Sequence, residues 1–245
     1  MHRFFVSPEQ IGEKKIIIEG TDVNHIKNVL RMKEKEEILI SDQDKMEYHC
    51  QIEALEDDRV VAKIMYAQEV GLELPCCIYL FQGLPKSDKM ELIIQKAVEL
   101  GACEIIPVAS HRCVVKLDAK KEATKRKRWQ AIAESAAKQA KRMYIPQVTN
   151  VMKFDQALQY AQQCDVKLIP YELAKDMEAT RSILRGIKKG QSIGIFIGPE
   201  GGFEETEIEE AVRQNVRPIT LGKRILRTET AGFTLLSVLM FALEE

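Results

Sequence analysis

Three short stretches in the last third of the 245-residue sequence join apolar, strand-like runs to polar or glycine-rich residues: "IPYE" at 169–172, "IGPEGG" at 197–202 and "LGKRILRTET" at 221–230. Glycine at such points lets main-chain N–H and C=O groups approach a ligand without a side chain in the way. Ligands of open α/β sheets bind outside the carboxyl ends of the strands. One such end alone reads as an ordinary strand-to-helix turn; three together predict a site. Backbone readout of this kind suits an adenine or a carboxylate. The spacing of Gly198, Gly201 and Gly202 does not fit G-x-G-x-x-G, and no G-x-x-x-x-G-K-[ST] precedes Gly222-Lys223, which argues against dinucleotide and P-loop chemistry.

A second chemical signal is charge. The whole chain has a net charge of −1, but residues 111–142 carry 11 basic side chains against three acidic ones, Asp118, Glu122 and Glu134. A local excess of this size meets phosphate, or is simply a solvated helix face. Residues 1–72 are by contrast acidic, with 10 basic and 15 acidic side chains. The six cysteines form no C-x-x-C and have no histidine at metal-ligand spacing, so reduced structural thiols are expected and no metal. Phe4–Val6 is too short an apolar run for a signal peptide, and Ala231–Leu243 falls short of a membrane span. The expectation is a cytoplasmic protein whose carboxy-terminal helix is buried, with a subunit interface as one place for it.

The elements that must position these residues divide near 72–74, where Gly71 and Pro75 mark a change of rhythm. Residues 1–72 predict strands at 14–20, 36–41, 47–55 and 59–67. One helix over "TDVNHIKNVLRMK" interrupts them, capped by Thr21 or Asp22, with Val23, Ile26, Val29 and Leu30 on its buried stripe. A small β-barrel with a helix fits. Residues 73–245 alternate strand and helix, which predicts an α/β domain with a mainly parallel sheet. Its strands are "CCIYLFQGL", "CEIIPVAS", "VKLIPYEL", "SIGIFIG" and "RPITLG". Its helices include one capped by Ser87 and closed by Gly101, a long one over 120–142, and shorter ones near 153–163, 177–187 and 203–215.

Taken together, "IGPEGGF", "LGKRILRTETA", "SDKMELIIQKAVELG", "ESAAKQAKRMYIP", "RW" at 128–129, and the opening "MHRFFV" with "HIKNVLR" resemble the RsmE family, in the same order and over essentially the whole chain. Members methylate N3 of a uridine in 16S ribosomal RNA and belong to the SPOUT superfamily. The resemblance implies a PUA-like β-barrel over 1–72, a SPOUT α/β trefoil-knot methyltransferase domain over 73–245, a homodimer, and S-adenosylmethionine as methyl donor. Periodicity shows no knot, and pattern rules alone exclude one.

By the same resemblance, Tyr171, Glu172, Gly198, Glu200, Gly201, Leu221, Gly222, Ile225, Leu226 and Thr228 line the cofactor pocket, largely through main-chain atoms. Uracil N3 becomes nucleophilic as its proton leaves, and charge then spreads onto the flanking carbonyl oxygens. Arg227 is the candidate cation beside them, its alternative being a structural bridge to Glu200 or Glu229. Both glutamates are candidates for the general base, which stays open, with Glu200 equally suited to ordering its own loop. RNA contacts are expected from Arg3, His25 and Arg31 and from Arg112, Arg128 and Arg142. The chain departs from the family pattern at His111, Cys113 and Ala140. A ribosome-assembly factor without chemistry and a nucleotide-binding metabolic enzyme are the competing readings. The intact cofactor loops argue against the first, and the basic stretch with no phosphate motif argues against the second.

Overall fold

Alternating β-branched and polar residues build the first sheet. The computed structural model describes residues 1–244, in two units: Met1–Glu73 with Ala137–Ile145, and Leu74–Ala136 with the chain from Pro146 onward. In the first unit β1 (His2–Phe5), β2 (Lys15–Glu19), β3 (Glu37–Ser41), β4 (Met46–Leu55) and β5 (Arg59–Glu69) lie in the order β1-β3-β4-β5-β2. All pairs are antiparallel except β1 with β3. Every second residue, such as Ile16, Ile18, Ile38, Ile40, Val60 and Ala62, is buried on one face and forms this unit's core with Phe4.

Three details depart from the sequence reading. Strand β1 shows in the sequence only as a short apolar run, because its partner β3 lies beyond β2 and the following helix. The predicted helix is one turn, α1 (Thr21–Asn24), followed by a wider π-type turn over His25–Val29. There Leu30 N–H donates to His25 O at 2.8 Å and Met32 N–H to Ile26 O at 3.0 Å. The wider turn rotates Val29 into solvent, 61% exposed, and brings Met32 into the core in its place. Neither Thr21 nor Asp22 caps this helix; Gly20, at φ 73°, stands at the N-cap.

Residues 137–145 group with the first unit, although the sequence boundary near 72–74 assigns them to the second. Arg142 pairs with Glu73, Nε to Oε2 at 2.7 Å, and Met143 N–H donates to Glu73 Oε1 at 2.7 Å. The Arg3 guanidinium pairs with Glu47 and donates to Arg142 O at 3.0 Å. Contacts between residues 139 positions apart leave no trace in local periodicity.

The second unit holds β6 (Cys77–Gly83), β7 (Ala102–Ala109), β8 (Gln147–Val148), β9 (Met152–Lys153), β10 (Val166–Pro170), β11 (Ser192–Ile197) and β12 (Arg217–Ile219). Their order is β12-β10-β11-β6-β7-β8, with β9 also on β7, and every pair is parallel. The helices are α2 (Lys89–Glu99), α3 (Ala119–Gln139), α4 (Phe154–Tyr160), α5 (Met177–Arg185), α6 (Glu205–Arg213) and α7 (Thr228–Leu243). Gly101 closes α2 at φ 90°, as its position predicts. Ser87 does not cap it: Asp88 takes the N-cap position and Ser87 has φ 57°. Phe81 and Phe196 stack at 4.3 Å between ring centroids at the centre of this core. Because β10, β11 and β12 are neighbours, their carboxyl ends open side by side.

Candidate active site

Each of those three strand ends is held by a specific tether. After β11, Gly202 N–H closes a turn onto Pro199 O at 2.9 Å, and Phe203, 7% exposed, sets its ring against Phe154 at 5.1 Å. The "GPEGG" turn is thus pinned to the core by the residue that follows it. After β10, Tyr171 N–H continues the ladder to Ile219 O at 3.0 Å. After β12, Thr220 N–H donates to the buried Thr180 hydroxyl of α5 at 3.1 Å. Gly222 N–H donates to Thr220 Oγ1 at 3.2 Å with Gly222 at φ 114°, a conformation that excludes most other residues.

Thr228, the first residue of α7, joins two of these parts. Its hydroxyl donates to Gly198 O at 2.5 Å and accepts from Gln82 Nε2 at 2.9 Å. Gln82 is wholly buried at the end of β6, and its Nε2 also donates to Gly83 O at 2.9 Å. Sequence reasoning points to Thr228 and misses Gln82, which no motif marks.

The loops enclose a cavity of about 240 Å³. Tyr171 and Glu172, then Gly198, Glu200 and Gly201, then Leu221, Gly222, Ile225, Leu226 and Thr228 all lie in its wall. Ile225 is 87% exposed, an apolar side chain standing in solvent at the rim. Arg227 is exposed, flanks the start of α7, and is not among the lining residues. The bridges that were its structural alternative are made by Lys89 instead, whose Nζ lies 3.4 Å from Glu200 and 3.2 Å from Glu229.

Burial pushes the Glu200 carboxyl up, but hydrogen bonds from its own N–H and from Lys86 N–H, together with Lys89, outweigh this and hold it below its ordinary value. The Lys86 N–H donates at 3.1 Å. Glu200 therefore stays ionised and engaged in ordering its loop.

Arg112 also lines the cavity, donating through Nη1 to Gly201 O at 2.9 Å. It follows β7, so the rule about carboxyl ends of strands points to it, whereas composition alone counts it with the basic stretch. Of the other residues expected to meet RNA, Arg31 is exposed and His25 is half-buried in the wide turn. Arg128 is exposed and pairs with Glu91 at 2.7 Å. Arg3 and Arg142, expected at the RNA, are instead buried, 5% exposed each, in ion pairs with Glu47 and Glu73. Exposed cations on α3 that can reach solvent include Lys120, Lys121 and Lys127.

Two family models match, one described as an RNA methyltransferase domain over residues 72–240 and one as an RNA methyltransferase PUA domain over residues 18–65. The ribosomal RNA small subunit methyltransferase E of Bacillus subtilis is 40% identical over 100% of this chain and 98% of its own length. This chain belongs to the RsmE family of RNA methyltransferases. Its fold is shared with the Neisseria gonorrhoeae methyltransferase E bound to S-adenosyl methionine, at 32% identity and a TM-score of 0.84 over 98% of this chain and 97% of that one. A Legionella pneumophila methyltransferase in complex with bound SAM matches at 33% identity and a TM-score of 0.86, over 98% and 97%. Among the described residues no helix is long and apolar enough to cross a membrane.

Proposed function

We propose that this protein is an S-adenosylmethionine-dependent methyltransferase that methylates N3 of a specific uridine in the 16S RNA of the small ribosomal subunit. The observation that carries the proposal is one cavity at the carboxyl ends of β10, β11 and β12, walled by all ten residues expected to hold the cofactor. Family membership and SAM-bound relatives of the same fold support it.

The wall suits this cofactor. Gly198, Gly201 and Gly222 leave main-chain atoms open to an adenine, and Glu172, Glu200 and Arg112 offer both signs of charge to an amino-acid end. Bound S-adenosylmethionine supplies an electrophilic methyl group. The chain's own task is then alignment and charge stabilisation. Arg227 stands beside the cavity loops with its charge in solvent, where it can face the carbonyl oxygens of a uracil losing its N3 proton. Glu200 is unsuited to be the base, since its carboxylate is already engaged.

RNA lies along α3 and the first unit, which acts as the PUA-like barrel, with Arg128, Arg31, His25 and the exposed lysines of α3 as contacts. The RNA methyltransferase domain match and the all-parallel sheet support a SPOUT domain over 73–245, less Glu73 and residues 137–145, and the family resemblance gives its carboxy-terminal part as a trefoil knot. Phe241 and Val238 of α7, 83% and 44% exposed, support a homodimer through that helix. The protein works in the cytoplasm without a metal.

Incubation with S-adenosylmethionine and undermodified small subunits, followed by nucleoside mass spectrometry, is expected to yield N3-methyluridine at one position. Methylation at another atom, or binding without methylation, would overturn the proposal.

A further inference from the structure

Arg112 is placed unlike any other cation of the basic stretch. Its side chain packs on Gly201 so closely that a Cβ there would lie 3.3 Å from Arg112 Cβ and 3.5 Å from Cδ. Its Nη1 donates to Gly201 O at 2.9 Å, and among the described residues it has no carboxylate partner. The loop that carries it is fixed: His111 N–H donates at 3.0 Å to Glu207, itself 3% exposed, and Cys113 N–H donates to Ser110 O at 3.1 Å. The guanidinium is therefore held at the cavity wall by packing and by one bond, with most of its five donors uncommitted.

The other two cations of the wall, Lys223 and Arg224, are exposed like Arg112 and lie on the loop after β12. Of the two carboxylates there, Glu200 shares Lys89 with Glu229, and Glu172 is exposed. Three cations against two carboxylates leave the wall with a positive excess, and Arg112 is the one of the three whose planar fork of donors, the match for a carboxylate, is tethered to the turn.

Resting on the methyltransferase reading, we infer that Arg112 is a cofactor residue: its guanidinium receives the α-carboxylate of S-adenosylmethionine while its stem fixes the Gly198–Gly202 turn. It thereby selects the intact amino-acid end of the methyl donor. The basic stretch consequently starts with a residue that faces the cofactor, not the RNA.

Decarboxylated S-adenosylmethionine keeps the adenosine, the sulfonium and the amine and lacks only the carboxylate, so it isolates this contact. Calorimetric titration of both compounds is the test, on wild type and on Arg112→Gln. Wild type is expected to prefer the intact donor, and the variant to bind it about 10- to 100-fold more weakly, the range for one hydrogen-bonded charge pair. Binding of the decarboxylated donor is expected to fall clearly less, because for that compound the variant loses only the tether on the turn and no contact to the ligand. Arg112→Lys, which keeps stem and charge, should lose less than Arg112→Gln. Equal losses for the two compounds in both variants would mean that Arg112 only shapes the turn. Unchanged binding of the intact donor, with a fall in RNA affinity and in its salt dependence, would assign Arg112 to phosphate. Either result overturns the inference, whereas a wild type that binds neither compound overturns the methyltransferase reading itself.

Discussion

Thr228 shows how much of the site rests on single polar atoms. Its hydroxyl is both acceptor for Gln82 and donor to Gly198 O, so Thr228→Val removes two bonds at nearly constant volume. Leaving the buried Gln82 amide short of a partner costs about 1–3 kcal/mol, read as a lower denaturation midpoint. Cofactor affinity should fall with it, since Gly198 loses its tether. Glu200 gives a pH-dependent counterpart. Its folded-state pKa lies below the ordinary 4.5, so its contribution is complete above that value and disappears as pH falls through the lowered one. Urea titrations of wild type and Glu200→Gln should therefore differ at neutral pH and converge once pH has fallen below the lowered value. A difference that persists in acid would remove the ionised carboxylate from the account.

At the scale of elements, the site depends on how closely β6 approaches the turn after β11. A Cβ on Gly83 would lie 2.6 Å from both the nitrogen and the Cδ of Pro199. Gly83→Ala must push these segments apart, at about 1–3 kcal/mol for overpacking, and should weaken donor binding more than RNA binding, measured by separate titrations. Phe203→Ala would instead free the far end of the same turn, at about 3–5 kcal/mol. Most of these elements are legible in the sequence: β10 but for Lys167, and β11 after Ser192, are largely apolar and buried on both faces, and Gly101 ends α2 where a left-handed residue is required. The elements that escape are those set by tertiary context. Nothing local distinguishes the π-type turn at His25–Val29 from an α-helix, and the two-residue strands β8 and β9 exist only because β7 is beside them. Gln82 is invisible for the same reason, since its partner is 146 residues away.

For the whole molecule, the uneven charge predicts how RNA is gripped. With Arg3 and Arg142 committed to ion pairs, the proposal puts phosphate on the exposed cations of α3. Replacing Lys120, Lys121 and Lys127 together by Gln should reduce the slope of log affinity against log salt, by about 0.7 for each single-strand phosphate that the protein no longer neutralises. An unchanged slope would place the RNA elsewhere. The basic run is plain in the sequence, but which of its members are spent on the fold is not, because burial is decided by elements that the run itself does not contain.

The contacts of Arg3 and Glu73 with residues 137–145 have a consequence for the order of synthesis. Domains generally fold from the amino terminus as the chain emerges, yet this first unit lacks part of its polar network until residue 145 has left the ribosome. Until then Arg3 lacks the Arg142 carbonyl, and Glu73 lacks both the Arg142 guanidinium and the Met143 N–H. A nascent chain stalled with residues 1–73 just exposed should therefore hold its first sheet loosely and be cleaved readily by protease, and one stalled with residue 145 exposed should resist. The part of the protein made first is completed by a segment made much later, so the timing of translation is written into its contacts.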